Sequence, residues 1–125
     1  MPNPTYPYNM RVTGRPLVWL YGAVKTPPFT PDARTEAGLL LRRLQRGEKL
    51  GLPHARPMSI VGPRCGELRI QDTEVTWRIL YRLDTDAVVI LAVFAKKTAA
   101  TPKAIVEACA TRLKLYDRNS RSGEK

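Results

Sequence analysis

Two adjacent stretches constrain this chain more than anything else in it. Val75 to Leu83 alternates without a break: Val75, Trp77, Ile79, Tyr81 and Leu83 fall on one side, Thr76, Arg78, Leu80 and Arg82 on the other. A period of two is that of a strand whose two faces meet different surroundings. Asp84-Thr85-Asp86 follows and has the polar chemistry of a turn. Ala87 to Ala95 is then apolar at every position. Such a strand belongs inside a sheet, covered above and below. Its nine residues fall far short of the ~20 that cross a bilayer.

The flanking segments supply the rest of the sheet and its cover. Leu17 to Val24 is apolar, aromatic and β-branched, and reads as a strand. Thr30 and Pro31 open a helix over Asp32 to Arg46, with Ala33, Ala37, Leu40, Leu41 and Leu44 on one stripe and Gly47 just past its end. Gly51 to Pro63 is a Pro- and Gly-containing connection, with an extended piece expected at Met58 to Val61. Gly66 to Ile70 begins the next strand, with Leu68 and Ile70 on one face and Glu67 and Arg69 on the other. Thr101 and Pro102 open a last helix, through about Tyr116, with Ile105, Val106, Cys109, Leu113 and Tyr116 as its stripe. The expectation is an α+β domain: an antiparallel sheet packed against an N-terminal and a C-terminal helix. It would occupy residues 17–117. Residues 1–16, with Pro2, Pro4, Pro7 and Pro16, read as a flexible tail, and residues 118–125 as a disordered polar one. No charged-then-apolar leader opens the chain, so a cytoplasmic location is expected.

Charge narrows the function. Among 125 residues, 21 Lys and Arg face 11 Asp and Glu, a net charge of +10. Such an excess suits an anionic partner, nucleic acid first. With one His and two separated Cys, a zinc site is not expected, nor is any other metal or cofactor. The Gly-rich phosphate loops and the nucleophile elbow are missing from the sequence. What remains is a basic constellation on strands. Arg69, Arg78 and Arg82 project from the same sides of two consecutive strands, with Lys96 and Lys97 at the end of the third. Strands in succession pair, so these cations can share one face, and directly opposed like charges destabilise a sheet unless an anion neutralises them. The bland alternative is a solvated sheet face on which Glu67 pairs an arginine. Arg42, Arg43 and Arg46 close the first helix, where they complement its dipole and offer a second RNA contact.

Four short motifs occur in order: Gly66-Glu67-Leu68-Arg69, Trp77-Arg78-Ile79-Leu80-Tyr81, Phe94-Ala95-Lys96-Lys97-Thr98 and Thr101-Pro102. In this order the chain resembles the phage-derived, HigB-like branch of the RelE/ParE toxin superfamily over residues 58 to 116. The resemblance implies a small RelE-like fold and the toxin of a type II toxin–antitoxin pair. It implies a ribosome-dependent mRNA endonuclease that needs no metal: the ribose 2′-OH attacks the adjacent phosphate, leaving a 2′,3′-cyclic phosphate and a 5′-OH. Its partners would be mRNA in the ribosomal A site and a cognate antitoxin, a small helix-turn-helix protein. Residue by residue, Arg69, Arg78 and Lys96 match the motif positions assigned to catalysis. Two arginines suit stabilisation of a phosphorane, and a lysine among cations suits a base or a phosphate contact. Arg82 and Lys97 would bind RNA. Tyr81 and His54 are the acid/base candidates, although Tyr81 alternates onto the core face. The ParE-like relatives act on DNA gyrase instead, and that reading stays open beside a plain nucleic-acid-binding module.

Overall fold

The computed structural model describes residues 14–20, 29–96 and 101–123. Its elements run β1 (Leu17–Trp19), α1 (Pro31–Gln45), β2 (Ala55–Pro57), β3 (Cys65–Gln71), β4 (Thr76–Leu83), β5 (Val88–Lys96) and α2 (Lys103–Gly123). The strands form one sheet in the order β1-β5-β4-β3-β2. The expected α+β architecture is the one found, a five-stranded sheet with two helices. Pairing is antiparallel from β2 to β5, while β1 runs parallel to β5, so the sheet is mixed. Among the described residues no helix is long and apolar enough to cross a membrane.

Local chemistry sets the bounds of α1. The Thr30 hydroxyl accepts from the Ala33 N–H at 3.2 Å, with Pro31 at the first helical position. At the far end Gly47 has φ of 87°, which suits a residue without Cβ. The Gly47 N–H donates to the Leu44 carbonyl at 3.0 Å, and the Glu48 N–H to that of Arg43 at 3.1 Å, which satisfies two orphan carbonyls. Asp72, in the β3–β4 turn, accepts from the Thr30 hydroxyl (2.7 Å), the Trp77 indole (2.9 Å) and the Thr73 N–H (2.7 Å). The turn of the hairpin thereby holds the start of α1.

Both faces of the sheet are covered, each by one helix. Ala33, Ala37, Leu40, Leu41 and Leu44 of α1 pack with Leu68, Ile70, Ile79, Tyr81, Val88 and Ile90. On the other side Cys109 and Leu113 of α2 pack with Cys65, Leu80, Val89 and Leu91. The register makes this possible. Leu80 pairs with Ala92 but Tyr81 pairs with Ile90, so Leu91 is the extra residue of a bulge. Leu91 and Ala92 both join the α2 side, and the Arg112 guanidinium donates to the Leu91 carbonyl at 2.6 Å.

Several expectations are corrected here. The bland alternative fails in part: Glu67 does pair with arginines, but the polar side of β4 is not solvated, since Leu80 is fully buried and Arg78 and Arg82 nearly so where the stripe of α2 lies across it. The extended piece before β3 is Ala55–Pro57, three residues earlier than Met58, and Met58 to Val61 forms a turn instead. Pro57 costs nothing there, because β2 is an edge strand and the missing N–H breaks no ladder. Of Leu17 to Val24, strand geometry covers Leu17–Trp19, and residues 21–24 lie outside the described ones. Arg15, inside the segment expected as a tail, donates to the carbonyls of Asp84 (2.8 Å) and Leu44 (2.7 Å). At the other terminus α2 continues to Gly123 where a polar tail was expected from residue 118.

Candidate functional site

The α2 side of the sheet carries the charged residues, row by row. Arg56 of β2 stands opposite Glu67 of β3, and in the next row Arg69 stands opposite Arg78 of β4. Phe94 of β5 lies on the far side of Arg78. Three arginines from three neighbouring strands therefore share one side of the sheet with one carboxylate, Glu67.

Glu67 is the hub, and it is fully buried. Its Oε1 accepts from Arg78 Nη1 at 2.8 Å and from Arg56 Nε at 2.9 Å. Its Oε2 lies 3.5 Å from the Thr101 hydroxyl, which donates from the segment leading into α2. A buried carboxylate is tolerable only when paired and hydrogen-bonded, and these contacts meet that condition. The start of α2 adds the positive end of a helix dipole.

The arginines differ in what is left over. Arg78 is 5% exposed, and its Nε is a buried donor with no partner among the described residues. Arg56 keeps 34% of its side chain exposed. Arg69 is half-buried, and among the described residues no carboxylate pairs with it. Three guanidinium groups against one carboxylate leave two positive charges in excess. Opposed like charges of this kind carry a cost that an incoming anion relieves.

The other candidates fall into place around this arc or away from it. Lys96 ends β5 opposite Thr76, two residues along from Phe94. Lys97 lies outside the described residues. Arg82 shares the strand and the side of Arg78, yet it is bound to two carboxylates. Its Nε and Nη2 donate to Asp84 (2.7 and 2.9 Å), and its Nη1 and Nη2 donate to Asp117 of α2 (3.0 and 2.8 Å). Asp117, then Asp84, push its proton affinity further up, and the Tyr116 ring lies 5.9 Å from its guanidinium. Arg82 thus closes a latch between the β4–β5 turn and α2.

Arg42, Arg43 and Arg46 belong to α1 or its cap, on the opposite side of the sheet. Glu48 pairs with Arg43 at 2.8 Å and with Arg46 at 3.3 Å, while Arg42 is exposed. Tyr81 is buried on the α1 side, and burial pushes its phenol pKa up. Its ring lies over Gly66, where a Cβ would collide with the hydroxyl and the ring edge. That places Tyr81 in packing and away from the arginines. The His54 imidazole lies 3.7 Å from Glu36 of α1, while its carbonyl accepts from the Arg69 N–H at 2.8 Å. His54 therefore touches the arc through its backbone, with its ring turned to α1. Trp77 also packs on the α1 side, edge-on to Phe29 with centroids 4.9 Å apart.

Arg56 is the residue that the pattern did not disclose. A three-residue strand ending in Pro57 has too little alternation to show that Arg56 faces Glu67. Glu67 itself was legible as an arginine partner, but its burial depends on α2 crossing that side.

These features define a small α+β domain with an under-neutralised arginine cluster on one sheet face. The family model for the phage-derived Gp49-like proteins (DUF891) matches residues 28–114. The chain belongs to that family, which is a RelE/HigB-like toxin family. The match includes Arg56, Glu67, Arg69 and Arg78, and leaves out β1 and the end of α2. No curated protein matches the chain.

Proposed function

We propose that this protein is the toxin of a type II toxin–antitoxin pair, of the HigB-like kind, and that it cuts mRNA on the ribosome. The observation that carries this reading is the opposed pair Arg69 and Arg78, beside a carboxylate that only Arg78 and Arg56 share. A polyanion with charge building up on one phosphate is the partner that such a cluster stabilises best.

In the proposed step the ribose 2′-oxygen attacks phosphorus, and the bond from phosphorus to the 5′-oxygen breaks. The 2′-OH proton passes to a base and a proton is delivered to the leaving 5′-oxygen. Arg69 contacts the non-bridging oxygens, because among the three it combines exposure with freedom from a carboxylate. Arg78, held by Glu67, lends its charge from beneath and fixes the row. Lys96 is the candidate base, at the end of the strand beside Arg78. In-line geometry comes from the ribosome holding the message. A cognate antitoxin covers the same face, and an acidic segment would complement its charge.

The test is a cleavage assay with the purified chain, mRNA and programmed ribosomes. The expected products carry 5′-OH ends and appear only with ribosomes. Cuts without ribosomes would point to a free ribonuclease. Folded protein that makes no cuts would overturn the reading in favour of a non-nucleolytic target such as gyrase.

A further inference from the structure

We infer that Arg56 is a phosphate-binding residue for single-stranded RNA, oriented by Glu67, and that it holds the phosphate next along the strand from the one at Arg69. The inference rests on the RNA-directed reading above, and goes beyond it in adding a residue and a second phosphate.

The register provides the placement. Arg56 is opposite Glu67, and Arg69 is two residues further along β3 on the same side. Such diagonal neighbours lie about 7–8 Å apart, a spacing that lets two long side chains serve neighbouring phosphates of one backbone. β2 is the last strand of the sheet, so among the described residues no strand lies beyond Arg56.

Hydrogen bonding provides the orientation. Arg56 spends its Nε donor on Glu67 Oε1 at 2.9 Å. Its Nη1 and Nη2 have no partner among the described residues. A guanidinium held through Nε still presents donors on its outer edge, and its planar fork suits a phosphate. Oε1 is also the acceptor for buried Arg78, so one oxygen serves two cations. Of the two, Arg56 is the one that solvent and ligand reach: 34% of its side chain is exposed against 6% for Arg78. Pre-orientation by Glu67 lowers the entropy lost when Arg56 grips an anion.

The experiment is an anisotropy titration of a short single-stranded RNA with the full chain across a series of salt concentrations. Each phosphate contact adds about 0.7 to the slope of log affinity against log salt. Arg56→Ala is expected to lower that slope by about 0.7 with the circular dichroism spectrum unchanged, and Arg56→Lys to restore it. Arg34→Ala removes an equal charge from the exposed side of α1, and is expected to leave the slope alone. An unchanged slope in Arg56→Ala, or an equal loss in Arg34→Ala, would overturn the inference. For the positioning role, Glu67→Gln is expected to weaken RNA binding, because Arg56 then bears the ordering entropy itself, with the salt slope kept because its guanidinium still reaches the phosphate. An unchanged or tighter RNA affinity in folded Glu67→Gln would remove Glu67 from that role. If wild-type protein binds RNA with the Arg56-dependent slope but never cuts, the endonuclease reading fails and this inference stands. A wild-type chain that binds no RNA overturns both.

Discussion

Arg78 and Arg82 stand four residues apart on β4, on one side of the sheet and under one helix, each less than a tenth exposed. Arg82 meets two carboxylates and uses Nε, Nη1 and Nη2 on them. Arg78 shares one carboxylate oxygen with Arg56, keeps a buried Nε without a partner among the described residues, and faces Arg69 across the strands. One end of this face is neutralised and the other is left positive. Neutralised arginines hold a fold together. A surplus of positive charge is maintained against electrostatic cost, which the proposed contact with an anion would relieve.

The largest expected break of this contrast is Glu67→Ala. It leaves two arginines without their shared anion and a void beside them. Removing one partner of a buried ion pair costs about 3–5 kcal/mol, so urea unfolding at neutral pH should show most of the domain's stability gone. Next comes Arg69→Ala. Loss of one donor aimed at developing charge lowers rates about 10²–10³-fold. Its unfolding midpoint should barely move, because Arg69 has no carboxylate partner among the described residues. Arg82→Ala should do the reverse: a stability loss of about 1–3 kcal/mol in the same unfolding experiment, with the cleavage rate of the folded protein unchanged.

The smallest effect is a pH dependence away from both regions. The Thr30 hydroxyl, assisted by backbone N–H groups and the Trp77 indole, holds the Asp72 carboxyl well below the usual carboxylate range. A depressed folded-state pKa contributes stability that is present above the unfolded value near 4 and is lost as pH falls below it. Asp72→Asn should therefore lower stability at pH 7 and flatten the loss between pH 5 and pH 2, as read by thermal unfolding.

These contrasts also show what the chain revealed before its fold was known. Val75 to Leu83 and the apolar run after it gave the hairpin, because alternation and its absence report burial directly. The Thr30–Pro31 cap and Gly47 gave α1 both its ends. The motif order gave Arg69 and Arg78, and strand succession implied that they would share a side. Arg82 misled because it repeats the period of Arg78, while its partner Asp117 lies on α2, far along the chain. Period-two reasoning assigns a side, and cannot say which helix covers it or which carboxylate that helix brings. Arg56 stayed hidden for the related reason that its meaning lies in Glu67, eleven residues on and across a strand pair.

The unneutralised end of the α2 face, and not the latched end, is proposed to carry the activity. Cleavage of a message on programmed ribosomes tests it most directly, with wild-type, Arg69→Ala and Arg82→Ala proteins side by side. Wild type and Arg82→Ala should give 5′-OH fragments, and Arg69→Ala should lose at least about 10²-fold. Equal cutting by Arg69→Ala, or loss of cutting by folded Arg82→Ala, would contradict it.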